Sequence, residues 1–169
     1  RVQLHVEGKD CLVPPALARV LSAALTHLIR NAVDHAIELP DEREALGKDE
    51  LGTILVQGFA GSHGPTLRIS DDGRGIDLAN LREKAESEGV AYTAGQEVEL
   101  IFVDGMSTSA EVGDLSGRGV GMSAVKAELA EVGYSIHTET EAGKGTTFTL
   151  RSVEATGQTE SPEPLPAAS

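Results

Sequence analysis

A chain of 169 residues, 40% of them hydrophobic, is long enough for one domain with a buried core. Its formal net charge of −13, with no Trp and 3% aromatics, argues against nucleic acid as a partner: there is no basic face for phosphates and little to stack on bases. The single Cys11 excludes an internal disulfide and is read as buried and inert, as suits a reducing cytoplasm, and no run approaches the roughly 20 apolar residues of a membrane span or the pattern of a signal peptide.

The chain opens on Arg1 rather than Met and is read as a piece excised from something longer. "RVQLHVEG" alternates Val2, Leu4 and Val6 and predicts a first strand with these three facing inward. "LVPPALARVLSAALTHLIRNAVDHAIELP" predicts a helix of roughly 20 residues between the prolines, with Leu17, Leu21, Leu25, Leu28 and Ala32 as its apolar stripe. "DEREALGKDELG" is a charged connection with at most a turn of helix, and "GTILVQGFAG" and "GPTLRISD" predict an antiparallel strand pair. Two short helices follow, "LANLREKAESEG" and "GQEVELIFV", then a small, polar, glycine-punctuated loop over 104–117. "VGMSAVKAELAEVG" predicts a helix with Val125, Leu129 and Val132 on one face, and "YSIHTETEAGKGTTFTLRSV" a closing hairpin turning at Gly143–Gly145. The proline-rich end reads as a disordered tail or linker over 154–169, after a domain of 1–153. The order does not alternate strand and helix, which predicts an α+β two-layer sandwich with helices on one face of a mixed, mostly antiparallel sheet.

Four stretches carry residue types suited to chemistry. On the long helix His27, Asn31 and Asp34 recur at i, i+4 and i+7, flanked by Arg30 and His35, and so line one side. An amide oxygen such as that of Asn31 is a hard ligand for Mg²⁺, which keeps waters and substrate phosphates around it; a solvated helix face is the plainer alternative. In "ISDDGRGI", Asp71, Gly73 and Gly75 follow a strand, either as an ordinary turn or as a carboxylate set to accept from an exocyclic amine with glycines that admit a flat ring. In "SGRGVGM", Gly117, Gly119 and Gly121 open a helix, either as a hinge or as an anion-binding loop presenting successive N–H groups. "AGKGTT" alone reads as a hairpin turn.

Taken in order, these stretches resemble the N, G1, F, G2 and G3 boxes of the GHKL ATPase superfamily, whose Bergerat fold is the sandwich expected above. "LTHLIRNAVDHAIELPDER", "SDDGRGID" and "SGRGVGMSAVK" are similar to the ATP-binding domain of chemotaxis-type (CheA-like) histidine kinases, over nearly all of residues 1–152. The resemblance implies that Asn31 coordinates Mg²⁺ on the ATP phosphates and that His27 serves as a hydrogen-bond donor or positioning group near the γ-phosphate. It implies ATP contacts from Arg30, Asp34 and His35 on the helix, with Arg30 pairing with Asp34 or reaching a phosphate. Asp71 would accept from the adenine amino group over a floor shaped by Gly73 and Gly75, and Thr146 would lie near the adenine end. Ser107 and Thr108 of the F box and Gly117, Arg118, Gly119, Val120, Gly121 and Met122 of the G2 box complete the implied ATP site, with Lys126 as an electrostatic helper.

The implied activity is γ-phosphoryl transfer from Mg-ATP to a histidine on a separate phosphotransfer domain, with a downstream response regulator, in a cytoplasmic two-component pathway. None of the five histidines lies in a recognisable phosphotransfer bundle. His27 stands where gyrase-like, Hsp90-like and MutL-like hydrolases carry a glutamate base, which disfavours hydrolysis. The "DHAIELPDER" match disfavours an anti-sigma serine kinase. In "FVDGMST", Met106 replaces the usual phenylalanine and Asp104 a common proline; Ser123 and Ala36 depart from the usual Asp and Gly. A looser lid makes a nucleotide-binding regulatory module with little turnover the alternative.

Overall fold

The structure is a computed structural model, and it describes residues 1–8, 10–106 and 121–154. Five strands form one sheet: β1 (Val2–Glu7), β2 (Gly52–Phe59), β3 (Thr66–Asp71), β4 (Tyr134–Glu141) and β5 (Gly145–Ser152), in the spatial order β1-β2-β3-β5-β4. β1 runs parallel to β2, while the β2–β3, β3–β5 and β4–β5 pairs are antiparallel. The helices are α1 (Pro15–Asn31), α2 (Pro40–Ala45), α3 (Leu78–Glu88) and α4 (Met122–Glu131).

Pro15 starts α1, where its missing N–H costs nothing and its φ is already helical. Val20, Leu21, Ala24, Leu28 and Ala32 are buried, with Leu17 and Leu25 partly so, on Ile54, Leu67, Ile69, Ile136, Phe148 and Leu150 of the sheet. Alternation in β3 sends Leu67 and Ile69 into this layer and Arg68 away from it. Val125 and Leu129 of α4 close the same core, with Val132 partly buried. This is the expected α+β sandwich. A second cluster, Leu81, Ala85, Leu100 and Met106, joins α3 to the 3₁₀ turn Glu97–Phe102, which stands where "GQEVELIFV" predicts a helix. Met106 is fully buried there, filling the place expected of an aromatic. Asp77 caps α3 by accepting the Asn80 N–H, and Gly89 closes it in the left-handed conformation.

Two expectations are corrected. Leu4 and Val6 are 52% and 48% exposed: register places them beside Ile54 and Val56 on the helix-bearing side, but β1 is an edge strand that packs mainly on β2. Cys11 is half-buried rather than buried, and burial raises its thiol pKa. The long helix also changes character: past Asn31 it opens into a π turn over Ala32–Ala36 and ends at Ile37. The expected tail lies outside the described residues apart from Glu154.

Candidate functional site

The site is built where the exit of α1 meets the exit of β3. The Arg74 N–H donates to the Ala36 carbonyl at 2.9 Å, tying the π turn to the turn after β3. Asp71 is the last residue of β3, and its Oδ1 accepts the Gly73 N–H at 3.0 Å. A Cβ on Gly73 would collide with the Ala36 carbonyl. On the other side Gly145, with φ +111°, lets the start of β5 press against the Asp71 carbonyl, leaving no room for any side chain. Both glycines are thus required by close approach of this chain's own backbone. Gly75 sits next to Glu141, and Thr146 is buried, its Oγ1 3.2 Å from Thr140 Oγ1.

Burial pushes the Asp71 carboxyl pKa up to about 6; the backbone N–H groups of Gly73 and Thr146 pull it down, and the charges of Asp72 and Glu38 push it up again. A carboxylate so desolvated gains from any further donor offered to it, such as an exocyclic amine.

Beneath this turn lies a charge network, in the stretch whose sequence reads only as a charged connection. Arg43, 1% exposed, donates to Glu38 Oε2 at 3.0 Å, to both carboxylate oxygens of Asp72 at 3.2 and 2.9 Å, and to the Asp49 carbonyl at 2.6 Å. The Lys48 ammonium donates to Glu38 Oε1 at 2.7 Å and to the carbonyls of Asp72 and Gly73 at 2.9 and 2.8 Å. Asp72 Oδ1 also accepts the Thr53 N–H at 2.8 Å. Burial alone would raise the Glu38 pKa, but hydrogen bonds from Lys48, its own backbone and Arg43 outweigh that and hold it below the ordinary glutamate value. The doubled "DD" and the "ELPDER" run are the only local signals of this network, and neither says that the charges are buried.

The helix side is sparser. His27 is half-buried, and desolvation, then the Arg30 charge, lower its pKa and favour the neutral imidazole. Asn31 Nδ2 donates to Met122 Sδ at 3.4 Å, joining α1 to the first residue of α4, and among the described residues its amide oxygen has no partner. Gly121 is the exposed N-cap of α4. Arg30, Asp34 and His35 are exposed, and among the described residues none makes a side-chain hydrogen bond or ion pair. The Arg30–Asp34 pair is therefore absent: the widened turn takes Asp34 out of the 3.6-residue phase of His27 and Asn31. Lys126 is engaged elsewhere, 2.7 Å from Glu99 and 4.6 Å from the Phe102 ring centre. Ser107, Thr108, Gly117, Arg118, Gly119 and Val120 lie outside the described residues.

The donor set suits a nucleotide with its metal. Asn31 offers an amide oxygen of the hard kind Mg²⁺ takes, without a partner among the described residues, and Asp71 offers a half-buried acceptor. Among the described residues no group of three or more His, Cys, Asp or Glu could cage a metal by itself, so the cation would need ligand oxygens. A hollow of about 510 Å³ beside the turn, lined by Arg74–Ala79, Thr140 and Ala142, includes none of His27, Asn31 and Asp71.

Residues 20–156 match the family described as histidine kinase-, DNA gyrase B-, and HSP90-like ATPase. The gliding motility regulatory protein of Myxococcus xanthus is 39% identical over 157 residues, covering 89% of this chain and 20% of that protein. The chemotaxis protein CheA of Halobacterium salinarum is 40% identical over 156 residues, 88% of this chain and 23% of that one. The chain thus spans about a fifth of the length of these curated relatives. Among solved structures, the histidine kinase domain of the Erythrobacter litoralis blue-light activated kinase aligns with TM-score 0.52 at 16% identity, over 88% of this chain and 50% of that one. The mycobacterial sensor histidine kinase MprB aligns with TM-score 0.52 at 17% identity, over 88% and 79%. These likenesses show a shared fold.

Proposed function

Because the chain belongs to the histidine kinase-, DNA gyrase B-, and HSP90-like ATPase family, we propose that it is the ATP-binding catalytic module of a chemotaxis-type histidine kinase. It takes Mg-ATP and passes the γ-phosphoryl group to a histidine on a separate phosphotransfer domain, from which a response regulator draws it, in the cytoplasm. Among the described residues no helix is long and apolar enough to cross a membrane. The observation that supports this reading most is the placement of a half-buried amide, Asn31, and a half-buried carboxylate, Asp71, at the ends of elements tied together through Ala36 and Arg74.

In this reading Asp71 accepts from the 6-amino group of the base, and Thr146 backs the same end. The Asn31 oxygen faces the cation, its Nδ2 held on Met122. Bound ATP supplies the electrophilic phosphorus. The neutral His27 donates a hydrogen bond toward the phosphate end and orients the incoming imidazole. Most of the acceleration comes from positioning and charge neutralisation, the usual economy of phosphoryl transfer. Phosphate contacts would come from Gly117, Gly119 and Gly121.

Calorimetric titration with ATP, with and without Mg²⁺, followed by a transfer assay with a supplied phosphotransfer domain, tests the reading. Magnesium-dependent binding with transfer is expected. Binding without transfer to any such domain would make the chain the regulatory module, and no binding would remove the nucleotide reading.

A further inference from the structure

Lys48 and Arg43 touch the turn from below, and the pattern of their contacts is specific. An ion cluster that served cohesion alone would need its charges matched, which Glu38, Asp72, Arg43 and Lys48 already achieve two against two. Yet the Lys48 ammonium also takes two consecutive backbone carbonyls, those of Asp72 and Gly73. Arg43 takes the Asp72 carbonyl as well, at 3.3 Å, and holds the Asp72 carboxylate with both terminal nitrogens. The Thr53 N–H binds that carboxylate from β2. The peptide unit between Asp72 and Gly73 is therefore fixed in height and tilt. The N–H of the same Gly73 is what holds Asp71 Oδ1.

The chain of contacts runs from Lys48 to the Gly73 carbonyl, through one residue of backbone to the Gly73 N–H, and so to the Asp71 carboxylate. Glu38 anchors the clamp two residues beyond the π turn that carries the α1 exit. Burying two cations is costly unless every donor is placed, and a placed donor transmits a shift of its acceptor directly.

Resting on the nucleotide-binding reading above, we propose that Lys48 and Arg43 are positioning residues for base selection: they hold the turn so that the Asp71 carboxylate meets a 6-amino purine and refuses a 6-oxo purine. The refusal has a plain cause. A 6-oxo group presents lone pairs to a carboxylate that has only lone pairs to offer, and a buried mismatch of that kind is not relieved by water. If the carboxylate is free to swing, it escapes the mismatch and loses the match, and the two bases become alike.

The test is competition binding of ATP and inosine triphosphate, both with Mg²⁺, to the whole chain and to Lys48→Met, which keeps the alkyl stem and removes the ammonium. The unliganded melting curve of each protein is the folding control. Asp72→Asn loosens the same clamp from the Arg43 side while still accepting from Thr53, and gives an independent reading if Lys48→Met does not fold. Lys144→Met, a paired surface lysine on the next turn, controls for charge alone. The wild type is expected to prefer ATP. In Lys48→Met that preference falls about tenfold, equivalent to about 1.4 kcal/mol, as ATP loses its match and the inosine nucleotide is relieved of its mismatch. Asp72→Asn moves the ratio the same way by less, and Lys144→Met leaves it alone.

An unchanged ratio in a folded Lys48→Met, or an equal fall in Lys144→Met, overturns the inference while leaving nucleotide binding intact. A wild type that binds neither nucleotide overturns the nucleotide reading first and this inference with it.

Discussion

The two halves of the site are built in opposite ways. Around the exit of β3, Asp72 and Gly73 are held by hydrogen bonds of 2.8–3.3 Å reaching in from Arg43 of α2, from Lys48 and from Thr53 of β2, and the Gly73 N–H holds Asp71 within the turn at 3.0 Å. Along α1, Asn31 has one weak N–H to sulfur contact at 3.4 Å, and Arg30, Asp34 and His35 have no partner among the described residues. The difference teaches where preorganisation is needed. A flat base is recognised by one or two directional hydrogen bonds, so their acceptor must be fixed beforehand. A phosphate chain with its cation brings its own charge and ligand oxygens, so residues facing it gain by keeping their donors and lone pairs free.

The comparison breaks most visibly at Arg43. Arg43→Met leaves the buried Glu38 with one cation fewer and takes the two-nitrogen partner from the half-exposed Asp72 carboxylate, and unfolding measurements should show a loss of about 3–5 kcal/mol; a loss below about 1 kcal/mol would mean that the floor is not held as described. On the helix side the equivalent blow falls on rate. His27→Gln should lower phosphoryl transfer by roughly a hundredfold or more while ATP binding persists, and retained transfer would reduce His27 to packing.

Asp71→Asn sharpens the contrast because its two effects have opposite signs. Nucleotide affinity should weaken by about 1–3 kcal/mol, read by calorimetry. The free protein should gain stability above pH 6. The sign follows from the raised pKa: the folded state holds the Asp71 proton up to about pH 6, the unfolded chain only to about 4, so stability from this group is present below pH 4 and is lost as pH climbs to 6. Melting curves at pH 4 and pH 7.5 should therefore separate the variant from wild type only at the higher pH. In wild type, ATP affinity should in turn decline as pH drops below about 6. The smallest effect is expected of Met122→Leu, a volume-conserving change costing less than about 1.5 kcal/mol of stability. It removes the acceptor for Asn31 Nδ2, so Mg-ATP should bind a few-fold more weakly while metal-free ATP is unaffected; equal loss for both would show that the contact does not orient the amide.

Much of the fold could be read in advance because its signals are local. The apolar stripe of α1, the alternation in β2, β3 and β5, and the glycines at the β4–β5 turn each declare an element within a dozen residues. That Asp71, Gly73 and Thr146 lie at one end of the site was legible only through the order of the motifs, and the contact of Asn31 with Met122 came from the structure. What misled was pattern taken without context. Leu4 and Val6 alternate as core residues do, but on an edge strand that packs mainly on β2. Asp34 keeps helical spacing from Asn31 until the π turn removes it from the stripe.

By itself, then, the sequence determined the strands, the helices and the family to which the chain belongs, because periodicity, turn chemistry and motif order are carried by neighbouring residues. Only the tertiary structure decided which charges are buried and which carbonyls they hold. Arg43 and Lys48 look like any solvated pair in "DEREALGK"; they become the support of the site because Asp72 and Gly73, more than twenty residues away, fold back over them. A charged side chain has the same composition in water and in a core, and its burial is set by whatever arrives from far along the chain to pair with it.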